Sequence, residues 1–444
     1  MFKRQLMASL EQWAANPNRK PLILRGARQV GKTTLISAFG QTFDCFIQMN
    51  LEKSDQKKIF ESDLPFQELL SAIFYYSGNI RKKIRTLIFL DEIQNSAAAV
   101  AYLRYFYEEA SEIHLIAAGS LLESLLDKQI SFPVGRVEYL YLRPCSFPEY
   151  LNAIKDDQSV EILQRNEIPS YAHKKLSDHF NRYALIGGMP EAVSKYAETQ
   201  DILAINPVFG NLLTGFNDDV EKYGRNATMV QLIRHILKTG FFFAGQRIKF
   251  ERFGSSDYRS REMGEAFRTL EKALLIELVY PITKSSFPVI PDMKKSPRLF
   301  WLDTGIVNFM AGIQKEVFGA KDITGTWRGL VAEHITAQEL LAHDKSILAK
   351  RSFWVREAKN SNAEIDFIHS WNGLLIPVEI KSGEGSRLFS MNLYMDTAPH
   401  DYAVRIWSSP FSKDTIYTRS GKKILLINIP FYLIHKLPDI LNRI

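Results

Sequence analysis

Eight residues near the start of the chain, Gly26-Ala27-Arg28-Gln29-Val30-Gly31-Lys32-Thr33, have the composition of a loop that wraps phosphate. Glycine at each end lets the main chain turn so that successive N–H groups converge on an anion. Lys32 adds a mobile cation for β- and γ-phosphate oxygens, and Thr33, followed by Thr34, adds a hydroxyl for Mg²⁺. A chance match in a chain of this length arises roughly once or twice per hundred chains at average residue usage. Context separates this one from chance. The run Leu22–Arg25 leads into the turn and the helical pattern Lys32–Phe39 leaves it, aiming the positive end of a helix at the loop.

A second element follows at Leu87-Ile88-Phe89-Leu90-Asp91-Glu92. Its continuous apolar run reads as a strand buried on both faces, with Asp91 at the C-terminal tip, where it can hold a Mg²⁺ water. Glu92 can then polarise the attacking water. Alone, an acidic pair after a strand is usually a solvated loop. Coupled to the phosphate loop, it implies binding of Mg·ATP and its hydrolysis. Adenine is preferred because the Asn/Thr-Lys-x-Asp sequence that reads guanine is missing. Ile113–Ala118 ends in Gly119-Ser120, where Ser120 can serve as a polar sensor of the γ-phosphate or, more simply, as the N-cap of Leu121–Leu126. Arg136, after Gly135, is placed to reach a γ-phosphate in a neighbouring subunit; a solvated loop arginine is the equal alternative.

These side chains need a scaffold. Strand patterns at Phe46–Leu51, Thr86–Leu90, Ile113–Ala118 and Val137–Leu142, separated by helical ones such as Ala97–Ala110, predict an α/β fold with a parallel sheet covered on both sides. At 444 residues the chain exceeds one core, and three modules are expected, at 1–160, 161–310 and 325–444. The middle one is helical, broken at Gly187-Gly188-Met189-Pro190, and ends in a long amphipathic helix over Arg261–Glu277. Prolines 281, 288, 291 and 297 then mark an extended segment. The last module has a helix at Leu330–Ala342 and strands at Phe353–Arg356, Glu364–Ser370, Leu374–Lys381 and Tyr402–Trp407.

Composition, with 46% hydrophobic and 24% charged residues, is that of a globular protein. Cys45 and Cys145 follow no metal-ligand spacing and exclude a disulfide framework. No run suits a membrane span or a signal peptide, so a cytoplasmic protein is expected. The net charge of +7 is concentrated: residues 222–298 carry 15 Lys or Arg against 7 Asp or Glu. That concentration suggests an anionic partner such as DNA.

A further constellation lies near the C-terminus. Asp366, Glu379 and Lys381 fit the Asp…Glu-x-Lys arrangement of metal-dependent nucleases. Residues 379 and 381 share one strand face, and two carboxylates on adjacent strands can hold Mg²⁺ while the lysine orients a water. Glu333 on the preceding helix can complete the metal shell. Exposed charges on strand ends are the plain alternative.

Taken together, the motifs resemble those of bacterial and archaeal AAA-type ATPases with a C-terminal nuclease-like domain of unknown function. The resemblance runs over nearly the whole chain. It is carried by Gly26–Thr34, Leu87–Gln94, Ala118-Gly119-Ser120, Gly135-Arg136, Leu142–Tyr150, Gly187–Glu191, Leu302–Gly305, Arg356–Asp366 and Val378–Gly383. One departure is Arg143 in Leu142-Arg143-Pro144, where tyrosine is usual. The resemblance implies a P-loop AAA-type core with an extra strand between the phosphate loop and the acidic strand, a winged-helix middle module and a C-terminal α/β fold like that of restriction endonucleases.

Under that implication the helix Arg261–Glu277 displays Arg261, Arg268 and Lys272 to a DNA groove, with phosphate contacts from Arg247, Lys249 and Arg252. Glu262, Glu265 and Glu271 on the same helix oppose it. Two functions are therefore expected as rivals. One is a Mg·ATP-driven protein that binds nucleic acid and cleaves it, in defence or DNA processing. The other is a nucleotide-controlled switch whose C-terminal domain binds a protein partner without catalysis. AAA relatives also form rings, so a homo-oligomer is a further expectation.

Overall fold

The computed structural model describes residues 2–119, 133–312, 326–346, 348–357, 362–381 and 388–444. The first module begins with helix α1 (Leu6–Ala15) and strand β1 (Leu22–Arg25), then α2 (Lys32–Gly40), β2 (Cys45–Asn50), α3 (Ser54–Glu61), α4 (Phe66–Tyr76), β3 (Thr86–Asp91), α5 (Ala97–Glu109), β4 (His114–Ala118) and β5 (Glu138–Tyr141). The five strands form one parallel sheet in the order β2-β3-β4-β1-β5. β4 thus lies between β1, which feeds the phosphate loop, and β3, which carries Asp91, as the resemblance implied. Every residue of β3 and β4 is buried, which is why their runs are apolar without alternation. The edge strand β5 is covered by the distant segment 344–346: Tyr141 N–H donates to Lys345 O at 3.0 Å, and Arg143 donates to Asp344 O and Ser346 O.

The middle region contains α6 (Phe147–Ala153), α7 (Asp157–Gln164), α8 (His173–Ile186), α9 (Pro190–Thr199), α10 (Asn206–Tyr223), α11 (Ala227–Thr239) and α12 (Ser260–Lys272). Strands β6 (Ile276–Val279) and β8 (Arg298–Trp301) pair antiparallel beside it, with the short β7 (Pro281–Ile282) between them in sequence, and α13 (Thr304–Met310) follows.

Here the structure corrects an expectation. The amphipathic helix ends at Lys272, not Glu277; Leu274 takes a positive φ of 63°, and Ile276–Val279 turns into strand. The Leu274–Val279 run suits either state, and pairing with β8 decided it.

The remaining elements are α14 (Thr326–Ala342), β9 (Ser352–Val355), β10 (Glu364–Trp371), β11 (Leu374–Lys381), α15 (Phe389–Met395), β12 (Tyr402–Trp407), β13 (Ser412–Tyr417), β14 (Lys423–Pro430) and α16 (Leu437–Leu441). Their mixed sheet runs β13-β14-β12-β11-β10-β9-β7, so β7 of the middle region joins it, parallel to β9. One apolar core extends from Cys145 to Leu441, shared by the middle helices and one face of this sheet. Among the described residues no helix is long and apolar enough to cross a membrane.

Candidate nucleotide and acidic sites

The phosphate loop joins β1 to α2 between the two strands that flank β1. Its backbone is unusual at three points, with φ of 156° at Gly26, 63° at Gln29 and 90° at Gly31. A Cβ on Gly26 would sit 2.4 Å from Leu142 O, so only glycine lets the loop pass this close to the chain after β5. Gly31 caps α2 with no side-chain hydrogen bond, leaving the first-turn amides turned toward the loop.

Lys32 is 7% exposed and its Nζ donates to Gly26 O at 3.0 Å and Ala27 O at 2.9 Å. Burial pushes its ammonium down to about 8, with Glu92 and Asp91 opposing and Arg28 adding to the fall. Thr33 Oγ1, in the first turn of α2, donates to Asp91 Oδ2 at the end of β3 at 2.7 Å, bringing hydroxyl and carboxylate together. Glu92 follows with a left-handed φ of 52°, and its carboxylate accepts from Gln94 Nε2. A non-glycine residue held there stores strain of the order of 1–3 kcal/mol, which is common where a side chain must be aimed.

Three partners of the loop were not legible beforehand. Arg4, 6% exposed, donates from Nη1 to Val30 O (3.0 Å) and from Nη2 to Arg143 O (2.6 Å), and its Nε lies 3.1 Å from Glu149 Oε1. Glu149 is held in turn by a capping box with Ser146 at the start of α6. Pro190, after the Gly187-Gly188 turn, stands over Gly31, where an added Cβ would lie 3.7 Å from Pro190 Cγ. Arg28 pairs with Asp219, buried on α10, which also binds Lys222 at 2.9 Å. The i,i+3 spacing of Asp219 and Lys222 was a visible but weak signal. Arg136 lies against α5, with Nε 2.6 Å from Glu108 Oε1. Ser120 lies outside the described residues.

The second constellation does assemble. Glu333 on α14, Asp366 on β10, and Glu379 and Lys381 on β11 converge on one end of the mixed sheet. Lys381 Nζ is 2.8 Å from Glu379 Oε1, and Asp366 Oδ2 accepts from Ile380 N–H at 2.8 Å. Two residues missing from the sequence reading complete it. Arg298 of β8, 6% exposed, contacts Glu333 Oε2 (3.2 Å), Asp366 Oδ1 (3.5 Å) and Glu364. Burial, then Asp366, pushes the carboxyls of Glu333 and Glu379 well above the usual range. Burial opposes the Lys381 ammonium, but Glu379, Asp366 and Glu333 together raise it.

A divalent ion fits this set poorly as it stands. The carboxylates of Glu333, Glu364 and Asp366 are turned to a guanidinium, one oxygen of Glu379 is on Lys381, and only Glu379 Oε2 is buried without a hydrogen-bond partner. Among the described residues no three His, Cys, Asp or Glu side chains are placed to hold a metal.

In the middle region, Arg261, Arg268 and Lys272 are exposed on α12, as are Glu262 and Glu265. Arg247, expected beside them as a phosphate contact, is drawn instead to Glu364 (3.6 Å) and Ser296 O. Lys249 and Arg252 are exposed.

Residues 18–151 match the sequence model of a family described as an AAA domain, and residues 177–317 match a domain of unknown function (DUF8612). No curated protein matches. Among solved structures, a Walker-type ATPase of Pyrococcus abyssi is similar at 15% identity, covering 70% of this chain and 96% of that one, with a TM-score of 0.45. The ORC1 protein of Aeropyrum pernix, solved in complex with DNA, is similar at 12% identity over 70% of this chain and 93% of that one, TM-score 0.30. A signal-transduction ATPase with a tetratricopeptide-repeat sensor from Pyrococcus horikoshii is similar at 13% identity over 77% of this chain and 46% of that one, TM-score 0.29. With its sheet order, phosphate loop and family match in agreement, the first part of the chain is an AAA-type domain of the P-loop class.

Proposed function

We propose that the chain binds and hydrolyses Mg·ATP at the loop Gly26–Thr34 and passes the nucleotide state to the modules that follow. The observation that carries this reading is the Thr33–Asp91 hydrogen bond beside the buried Lys32. It unites the hydroxyl, carboxylate and ammonium the reaction needs. The loop amides and Lys32 hold the phosphates; Thr33 would hold Mg²⁺ and Asp91 one of its waters, and the bound ion would neutralise phosphate charge. Glu92 orients the attacking water. Ser120 is proposed as a γ-phosphate sensor, and Arg136 as the group offered to an adjacent subunit once it leaves Glu108. Transmission has two direct routes: Arg28 to Asp219 on α10, and Arg4 through Glu149 to α6.

In the first form of this reading, the partner is nucleic acid, met by the exposed face of α12 in a winged-helix arrangement of α10, α11, α12 and the β6–β8 pair. The modules are taken as 1–160, 161–310 and 325–444, in a cytoplasmic protein. Calorimetry with Mg·ATP on the parent and on Lys32→Ala tests the core claim; a well-folded parent that takes up no nucleotide ends it. Turnover with and without duplex DNA, on the parent and on Arg261→Glu/Arg268→Glu, tests the partner. Acceleration lost in the variant and weakened by salt supports DNA, and no acceleration argues against it.

A second reading is favoured by Arg298 among the acidic side chains: the C-terminal domain is a non-catalytic module and the ATPase works as a switch. Incubation of DNA or RNA with Mn²⁺ and either the parent or Glu379→Ala/Lys381→Ala separates the two. Cleavage by the parent alone restores the nuclease form.

A further inference from the structure

The second reading can be taken further at the acidic centre itself. Four carboxylates, those of Glu333, Glu364, Asp366 and Glu379, face three cations, Arg298, Arg247 and Lys381. Arg298 is the central member. Its Nη1 donates to Glu333 Oε2 and to Asp366 O (3.3 Å), its Nη2 to Glu364 and Asp366, and its guanidinium lies 4.9 Å from the centre of the Phe353 ring. The planar guanidinium thus spends its donors on α14 and β10 and lays its face toward the Phe353 ring of β9.

The backbone around Arg298 holds it there. β8 pairs with β6, and Trp301 N–H at its end donates to His334 Nε2 on α14 at 3.0 Å. His334 can accept because burial keeps its ring neutral, down to about 3. Thr304, just beyond β8, contacts the other ring nitrogen at 2.9 Å. The strand that carries Arg298 is therefore fastened to the helix that carries Glu333.

We propose that Arg298 is the resident cation of this centre: the guanidinium of β8 takes the place a divalent ion holds in a metal-dependent site, and clasps the middle region to the C-terminal sheet. The centre then joins two modules and excludes metal for as long as β8 is docked. A divalent ion and a buried guanidinium cannot share three carboxylates, because the ion needs two or more of them converging and Arg298 has turned them to itself. This rests on the second reading of the C-terminal domain and is independent of the ATP site.

The test is Mn²⁺ binding to nucleotide-free full-length protein, followed by electron paramagnetic resonance and by melting temperature. The parent is expected to show no binding at the centre tighter than about 1 mM, and EDTA should leave its melting temperature unchanged. Arg298→Ala, which frees the carboxylates and removes one positive charge, should gain an Mn²⁺ site tighter by roughly 10–100-fold, and adding Glu379→Gln should weaken it again. Parent binding that disappears in Glu379→Gln or Asp366→Asn would overturn the proposal, and that measurement needs no Arg298 variant to fold. A folded Arg298→Ala that gains nothing would overturn it as well. Both outcomes leave nucleotide uptake by Lys32 untouched, so failure here is distinguishable from failure of the ATPase reading.

Discussion

Lys32 ties the stability of the free protein and its affinity for nucleotide to one proton, with opposite signs. In the unfolded chain its ammonium keeps the proton to about 10.5, whereas in the folded loop burial releases it at about 8. Between those values the unfolded state binds more protons, so stability rises with pH; the full effect is about 3 kcal/mol. Lys32→Met removes the buried charge but leaves Gly26 O and Ala27 O without their donor, at a cost of about 1 kcal/mol. The variant should therefore exceed the parent by about 2 kcal/mol at pH 7.5 and lose that advantage by pH 10, in the melting transition that Mg·ATP shifts.

Nucleotide affinity runs the other way. Phosphate oxygens need the charged lysine, which is present below pH 8 and withdrawn above it. The Kd for Mg·ATP should be flat near pH 7.5 and weaken about tenfold by pH 9. Lys32→Arg stays charged throughout and should lose the dependence. Calorimetric titrations at pH 7.5, 8.25 and 9 on both proteins decide the matter. Equal slopes for parent and Lys32→Arg would refute the reasoning, since the titrating group would then lie elsewhere.

Three other outcomes are expected. Glu92→Gln should retain Mg·ATP binding while turnover in a phosphate-release assay drops about 10²–10⁴-fold, since water loses the carboxylate that orients it. Gly305→Ala should destabilise severely, by more than about 3 kcal/mol in denaturant melts, because the new Cβ would meet the backbone Ile186 O at 1.9 Å, where no side chain can yield. Glu339, buried on α14, accepts from Tyr183 Oη and Phe147 N–H, and burial raises its carboxyl to about 8. A raised acid stabilises most below the ordinary carboxylate range and loses that contribution as pH climbs through 8. The parent's melting temperature should therefore fall between pH 6 and 9 more than that of Glu339→Gln, which holds no ionisable proton.

Local chemistry made the nucleotide site readable in advance. Gly26, Gly31, Lys32 and Thr33 lie within one turn of chain, and Asp91 ends a run so apolar that only a buried strand could hold it; both signals depend on near neighbours. That β10 and β11 lie side by side was likewise expected, and the two pair antiparallel across a turn in which Asn372 and Gly373 take φ of 45° and 75°. The end of α12 was not, since Leu274–Val279 satisfies helix and strand alike until β8 lies beside it. Nor was the company the sites keep. Arg4 reaches Val30, Arg28 reaches Asp219, and Arg298 reaches Glu333, Glu364 and Asp366 across long stretches of sequence. A buried charge must find a counter-charge, but which one is settled only when packing brings the elements together. Sequence alone therefore supplied the residues whose own types and spacing suggested chemistry. Tertiary packing decided what occupies the space between, and at the C-terminal centre it put a guanidinium where the residues by themselves suggested a metal.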